Sequence, residues 1–234
     1  MANPDESLKQ MTRALSERVD VDSAIKLLLQ MVDIPSPTGS EAEMAEFMFE
    51  QYEVLDMRSI RQELSQGRFN AVGVLPGRGG GPSLMLNGHM DTSYRGDEEY
   101  LFGPGYKPKG FRKGDWLYGL GVKNMKCGFA AFLTAIRAIV ESGVERCGDI
   151  VLAAVVGEVE KAPVDEFQGV EYSGYGVGTK HLVAHGQVAD YCILGEPTGL
   201  QLGVGHMGSI WVKITTRGTV SHTGYIHRSR PSAP

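Results

Sequence analysis

His89 and Asp91 stand two residues apart in Gly88-His89-Met90-Asp91-Thr92, directly after the apolar run Ser83-Leu84-Met85-Leu86-Asn87. In extended backbone, residues i and i+2 point to the same side, so Asp91 can accept the second ring N–H of His89. A carboxylate in that place fixes the tautomer of a metal-binding imidazole. An ordinary turn histidine fits the same residues, but the end of a buried strand is where open α/β sheets bind ligands. Two more acids follow apolar runs. Glu158 opens Gly157-Glu158-Val159-Glu160, where low dielectric raises a carboxyl pKa as a general base needs. Glu196 sits in Leu194-Gly195-Glu196-Pro197-Thr198. A surface loop can also carry such glutamates. His222 lies among small residues in Gly218-Thr219-Val220-Ser221-His222-Thr223-Gly224.

Two glycine-rich stretches lead elsewhere. Gly119-Leu120-Gly121-Val122-Lys123-Asn124-Met125-Lys126-Cys127-Gly128 lacks the residue order of a phosphate loop. Gly174-Tyr175-Gly176-Val177-Gly178 lacks the third glycine of the dinucleotide fingerprint, and both read as turns.

These residues need elements to place them. Val21, Ala24, Ile25, Leu28, Leu29 and Val32 trace one face of a helix, which Pro35 and Pro37 must end. Residues 1 to about 20 read as a loose lead-in. Ser40 as N-cap with Glu43 as its capping-box partner predicts a second helix to about Tyr52. The middle reads as strand, strand, turn, strand, with Phe69 to Leu75 and 83–87 as strands. A Gly/Pro/charge-rich stretch covers 93–114. Met125, Phe129, Phe132, Leu133, Ile136 and Val140 mark another helix. Ile150 to Val156 and Tyr191 to Leu194 read as strands covered on both faces. Helices alternating with buried strands predict a layered α/β architecture. Ser209 to Thr215 alternates as a half-exposed strand does, which predicts a second, more open sheet from about Gly203.

The 234 residues are 42% hydrophobic and 22% charged, with a formal charge of −5. A mildly acidic chain with no dense Lys/Arg block is a poor nucleic-acid binder. No apolar run reaches the roughly 20 residues of a membrane span. The polar N-terminus has neither signal- nor transit-peptide character. Three widely spaced cysteines make no disulfide framework. The expectation is a cytoplasmic protein without nucleic-acid or membrane partners.

Gly-His-Met-Asp-Thr, Gly-x-Gly-x-x-Asn-Met-Lys, Gly-Glu, Gly-Glu-Pro-Thr and Gly-x-x-Ser-His-Thr-Gly follow one another between Gly88 and Gly224, and the resemblance they carry covers roughly residues 20 to 230. The set resembles the zinc-dependent aminoacylase / acetylornithine deacetylase / succinyl-diaminopimelate desuccinylase / glutamate carboxypeptidase family. The resemblance implies a zinc-peptidase-like catalytic α/β domain at 1–202. At 203–234 it implies the start of an inserted ferredoxin-like lid, through which such proteins often form homodimers. It further implies His89 and Glu196 as ligands of one zinc, Asp91 as the acid orienting His89, and Glu158 as general base. His222 matches a lid histidine that helps hold the substrate, and Glu160 is a candidate ligand. The implied activity is hydrolysis of the amide bond of a small N-acyl amino acid or dipeptide.

Three positions depart from the family pattern. Asn124 stands where the family has a bridging aspartate, and a neutral amide oxygen ligates weakly. Val159 occupies the slot of a second acid, with Glu160 one residue on. The family's last zinc-binding histidine lies near the end of a longer chain, whereas this sequence stops at Pro234. The reading is therefore a truncated member holding one zinc more readily than two, with cobalt a possible substitute. Its alternative is a catalytically inactive member that keeps the fold.

Overall fold

The computed structural model describes residues 4–159, 172–205, 212, 214 and 215. The chain divides into two compact units, 1–200 and 201–234. Every element described below lies in the first. The alternating stretch at 209–215 falls mostly outside the described residues.

Helix α1 (Pro4–Ser16) is a first difference from expectation. Leu8, Met11 and Leu15 fall at i, i+3 and i+7, one face of a helix, although Leu8 and Met11 are exposed. Helix α2 (Val21–Val32) starts at Asp20, whose carboxylate accepts the Ser23 N–H at 3.1 Å, and buries Leu27, Leu28, Met31 and Val32. Val21 faces solvent instead. Helix α3 (Ala42–Val54) carries no capping box: Glu41 precedes it without a side-chain cap bond. The Glu41 carboxylate is drawn away to a buried cation, Arg68.

Strands β1 (Arg58–Ser65), β2 (Arg68–Leu75), β3 (Leu84–His89), β6 (Ile150–Val155) and β7 (Tyr191–Leu194) form one sheet in the order β1-β2-β6-β3-β7. β1 pairs with β2 and β2 with β6 antiparallel, whereas β6, β3 and β7 run parallel to one another. A short hairpin, β4 (Phe111–Lys113) with β5 (Trp116–Tyr118), interrupts the loop-like stretch and turns at Gly114. Helices α2, α3 and α4 (Cys127–Ser142) cover one sheet face, where Met31, Met48, Tyr52 and Phe129 pack against Ala71 and Leu152. The Tyr52 hydroxyl reaches the Ala71 and Leu152 carbonyls, each at 3.2 Å. On the other face Leu182 of α5 (Val177–Ala184) packs against Val72, Ala153 and Val155. Of the glycine-rich stretch 174–178, only the part up to Gly176 is a turn; Gly176, with φ 70°, leads into α5, which takes in Val177 and Gly178.

β2 and β6 are buried throughout. β7 is not: all four residues are exposed, contrary to the doubly covered strand its apolar composition suggested. Apolarity does not distinguish an inner strand from an edge strand, and among the described residues β7 stands at one edge of the sheet. Among the described residues, no helix is long and apolar enough to cross a membrane.

Candidate metal centre

Because β6, β3 and β7 are parallel neighbours, their carboxyl ends open at one edge of the sheet. His89 ends β3 opposite Val155, and Leu194 of β7 lies opposite Asn87. Glu158 follows β6 and Glu196 follows β7, so strand order brings together residues far apart in the chain. His89, Glu158 and Glu196 each offer a ligand atom, all within 4.8 Å of one another, a cluster that could hold one metal ion.

Asn124 joins them from an irregular turn, Val122–Lys126, that leads into α4. Next to it, buried Met125 wedges between three glycines. A Cβ on Gly88 would meet the Met125 sulfur at 2.4 Å, and one on Gly128 or Gly195 would meet its Cε at 2.4 and 2.6 Å. The glycines in the sequence motifs are thus where β3, α4 and β7 close on one methionine.

The His89 ring is 2% exposed. Its Nδ1–H donates to the Asp91 main-chain carbonyl at 2.9 Å, with the Asp91 carboxylate farther off at 3.4 Å. The orienting contact is thus shared: the Asp91 main-chain carbonyl is nearer, and the Asp91 carboxylate expected from the sequence stands beside it. Nε2 points inward at Asn124 Oδ1 (2.8 Å), Glu196 Oε1 (3.3 Å) and Glu158 Oε2 (3.6 Å). One nitrogen lone pair facing three oxygens is repulsive unless a positive charge lies between them. Burial by itself lowers the imidazole pKa, but hydrogen bonds and charge from Asp91 and Glu196 outweigh it and push it up to about 11. A field that holds a proton so firmly also favours a cation. The donor set, one imidazole nitrogen with carboxylate and amide oxygens, suits a borderline divalent ion.

The carboxylate of Asp91 serves a different purpose. Its oxygens accept the Glu158 N–H at 3.0 Å, the Val159 N–H at 2.9 Å and the Thr38 hydroxyl at 2.9 Å. Burial would raise its pKa, yet the charge of His89 and these amides hold it below the usual carboxylate range. Upstream, Asn70 Oδ1 accepts the Val156 N–H at 3.1 Å and Glu41 Oε1 accepts the Gly157 N–H at 3.2 Å. Four consecutive amides, 156–159, therefore each end on a side chain from another element.

Thr38, Glu41, Arg68 and Asn70 were not singled out as functional by sequence reasoning. A signal existed for the last two: Arg68 and Asn70 are polar residues heading an otherwise apolar strand. Lys126 was quoted in its motif without a role. It is 1% exposed, and its ammonium donates to the Met31 and Ile34 carbonyls at 2.9 and 2.8 Å, capping the end of α2. Burial pulls its pKa down to about 7, with Glu43 opposing.

Beside the cluster lies a cavity of about 250 Å³ lined in part by Tyr94, Tyr106, Leu120, Lys123, Asn124 and Val159. Glu160 and His222 lie outside the described residues.

Residues 85–232 match peptidase family M20/M25/M40. The chain is 34% identical over 154 residues to a succinyl-diaminopimelate desuccinylase of Gluconacetobacter diazotrophicus, covering 64% of this chain and 37% of that protein. It is 27% identical over 201 residues to a probable succinyl-diaminopimelate desuccinylase of Staphylococcus aureus, covering 85% and 45%. Among solved structures it resembles human carnosine dipeptidase 1 (TM-score 0.58, 18% identity, 78% of this chain and 40% of that one). It also resembles a Staphylococcus aureus tripeptidase (TM-score 0.57, 22% identity, 76% and 43%). The chain spans less than half the length of these curated relatives.

Proposed function

The chain belongs to peptidase family M20/M25/M40, and from that premise we propose that it takes part in metal-dependent hydrolysis of the amide bond of a small N-acyl amino acid or dipeptide. The observation that carries the reading is His89 Nε2 facing three oxygens contributed by the Asn124 turn and by the ends of β6 and β7. His89 and Glu196 would hold one zinc ion, for which cobalt can substitute, with Asn124 as a weaker neutral donor. When bound, the ion acidifies water and polarises the amide carbonyl.

The chain's own residues supply the rest. The Asp91 main-chain carbonyl holds the proton on Nδ1 and leaves Nε2 free to ligate. The Glu158 side chain, 49% exposed, can meet solvent and substrate while its main chain is fixed. It acts as general base, taking a proton from the attacking water and passing it to the departing amine. The neighbouring cavity receives the substrate. Residues 1–202 serve as the catalytic α/β part. Residues 203–234, with His222, would belong to a lid part that contributes to substrate binding. Asn124 and Val159, both uncharged, support one ion over two.

The test is hydrolysis of N-succinyl and N-acetyl amino acids with added Zn²⁺ or Co²⁺, comparing the chain with Glu158→Ala. Metal-dependent turnover lost in the variant is expected; turnover that survives the substitution overturns the assignment of the base. One observation favours a second reading, a non-catalytic member with one metal site: the neutral Asn124 amide, rather than an acid, is the oxygen nearest Nε2. Metal uptake with no turnover would select it.

A further inference from the structure

The Glu41–Arg68 pair is wholly buried, with side chains 0% and 3% exposed. Arg68 Nη2 meets Glu41 Oε1 at 2.7 Å, and Arg68 Nε meets Glu41 Oε2 at 3.1 Å. A buried ion pair contributes little net stability beside an apolar pair of the same volume, so its consequence is to be sought in what it holds. Glu41 Oε1 also accepts the N–H of Gly157, a residue 116 positions away and next to Glu158. Gly157 has φ +62°, and a Cβ there would meet Ser173 O at 2.6 Å and Arg68 Nη2 at 2.7 Å. The turn is therefore pressed against the pair by both contact and hydrogen bond.

We propose that Glu41, held by Arg68, is a positioning residue for Glu158, fixing the main chain of the turn from which that carboxylate reaches His89. It acts on Gly157 as Asp91 acts on the next two amides. The inference rests on the metal-dependent reading above.

The test replaces the pair by apolar residues of similar volume, Glu41→Leu with Arg68→Met, so that no buried charge is stranded; circular dichroism confirms the fold. Cobalt affinity, the cobalt absorption spectrum and amide hydrogen exchange across 156–159 are then measured, in the native background and in Glu158→Ala. Because Glu158 also offers a ligand atom to the same cluster as His89 and Glu196, the expected result is roughly tenfold weaker cobalt binding, the scale seen when residues supporting metal ligands are lost. An altered spectrum and faster exchange at Gly157 and Glu158 should accompany it. In Glu158→Ala the same double substitution should add no further loss of affinity, because its effect passes through Glu158. A folded double variant with unchanged affinity, spectrum and exchange overturns the proposal, as does an equal loss in the Glu158→Ala background. If the native chain takes up no cobalt, the metal reading fails and the exchange alone decides: faster exchange supports the positioning role, and unchanged exchange refutes it.

Discussion

The two strand ends that carry the acids are built differently. At the end of β6, four consecutive amides are taken by Asn70, Glu41 and Asp91, all buried. At the end of β7, Leu194 is 59% exposed, and Gly195 is tied to β3 by its N–H to Asn87 O at 2.9 Å. Two carboxylates thus approach one imidazole, one from a templated turn and one from an open edge strand. The buried side sets the geometry, through side chains whose alternatives are unsatisfied polar groups. On the open side it is the strand before Glu196 that is exposed, whereas the Glu196 side chain, at 28%, is less exposed than that of Glu158, at 49%.

That contrast can be broken first at Asp91. Asp91→Ala removes the acceptor of two amides and one hydroxyl in a buried place, so the loss should be roughly 3–5 kcal/mol, read from urea unfolding. A loss below about 1 kcal/mol would mean the turn is not templated as described. An intermediate effect concerns the proton that occupies the ion's place. Because the metal-free His89 pKa is raised to about 11, cobalt must displace a proton from Nε2 throughout the neutral range. Affinity should therefore tighten about tenfold per pH unit between pH 6 and 8 and weaken as pH falls. Affinity independent of pH would show that the metal-free His89 carries no proton on Nε2 to be displaced in this range. The smallest effect belongs to the open side. Ile193→Lys on exposed β7 should change stability by less than about 0.5 kcal/mol, measured by urea midpoint, while the added charge discourages edge-to-edge association. A large destabilisation would show that β7 is packed more firmly than its exposure indicates.

What was legible in the sequence was local. Glu158 and Glu196 follow apolar runs, and His89 closes one, so parallel strands placed them at a common edge without knowledge of the loops between. The Asn124 turn was recognisable from its glycines, though their reason, the fit around Met125, depends on three elements meeting. The supporting residues were hidden because their partners are set by strand order. Asn70 can bond to Val156, and Arg68 and Glu41 can reach Gly157, only because β2 lies beside β6. The i, i+2 spacing paired His89 with Asp91 but did not reveal that the carboxylate would turn to the Glu158 and Val159 amides. Helix α1 carries only a short apolar stripe, Leu8, Met11 and Leu15, within a polar segment, and β7 shares the apolar composition of β6 while standing at an edge of the described sheet.

The central claim is that His89 Nε2 and the oxygens around it hold one divalent ion. Its most direct test is metal content and affinity of the chain, prepared without chelator and then titrated with Zn²⁺, beside a folded His89→Ala control. About one ion per chain, lost in the control, is the result expected for a single site with an imidazole ligand. Equal uptake by both proteins, or none by the native chain, would contradict it.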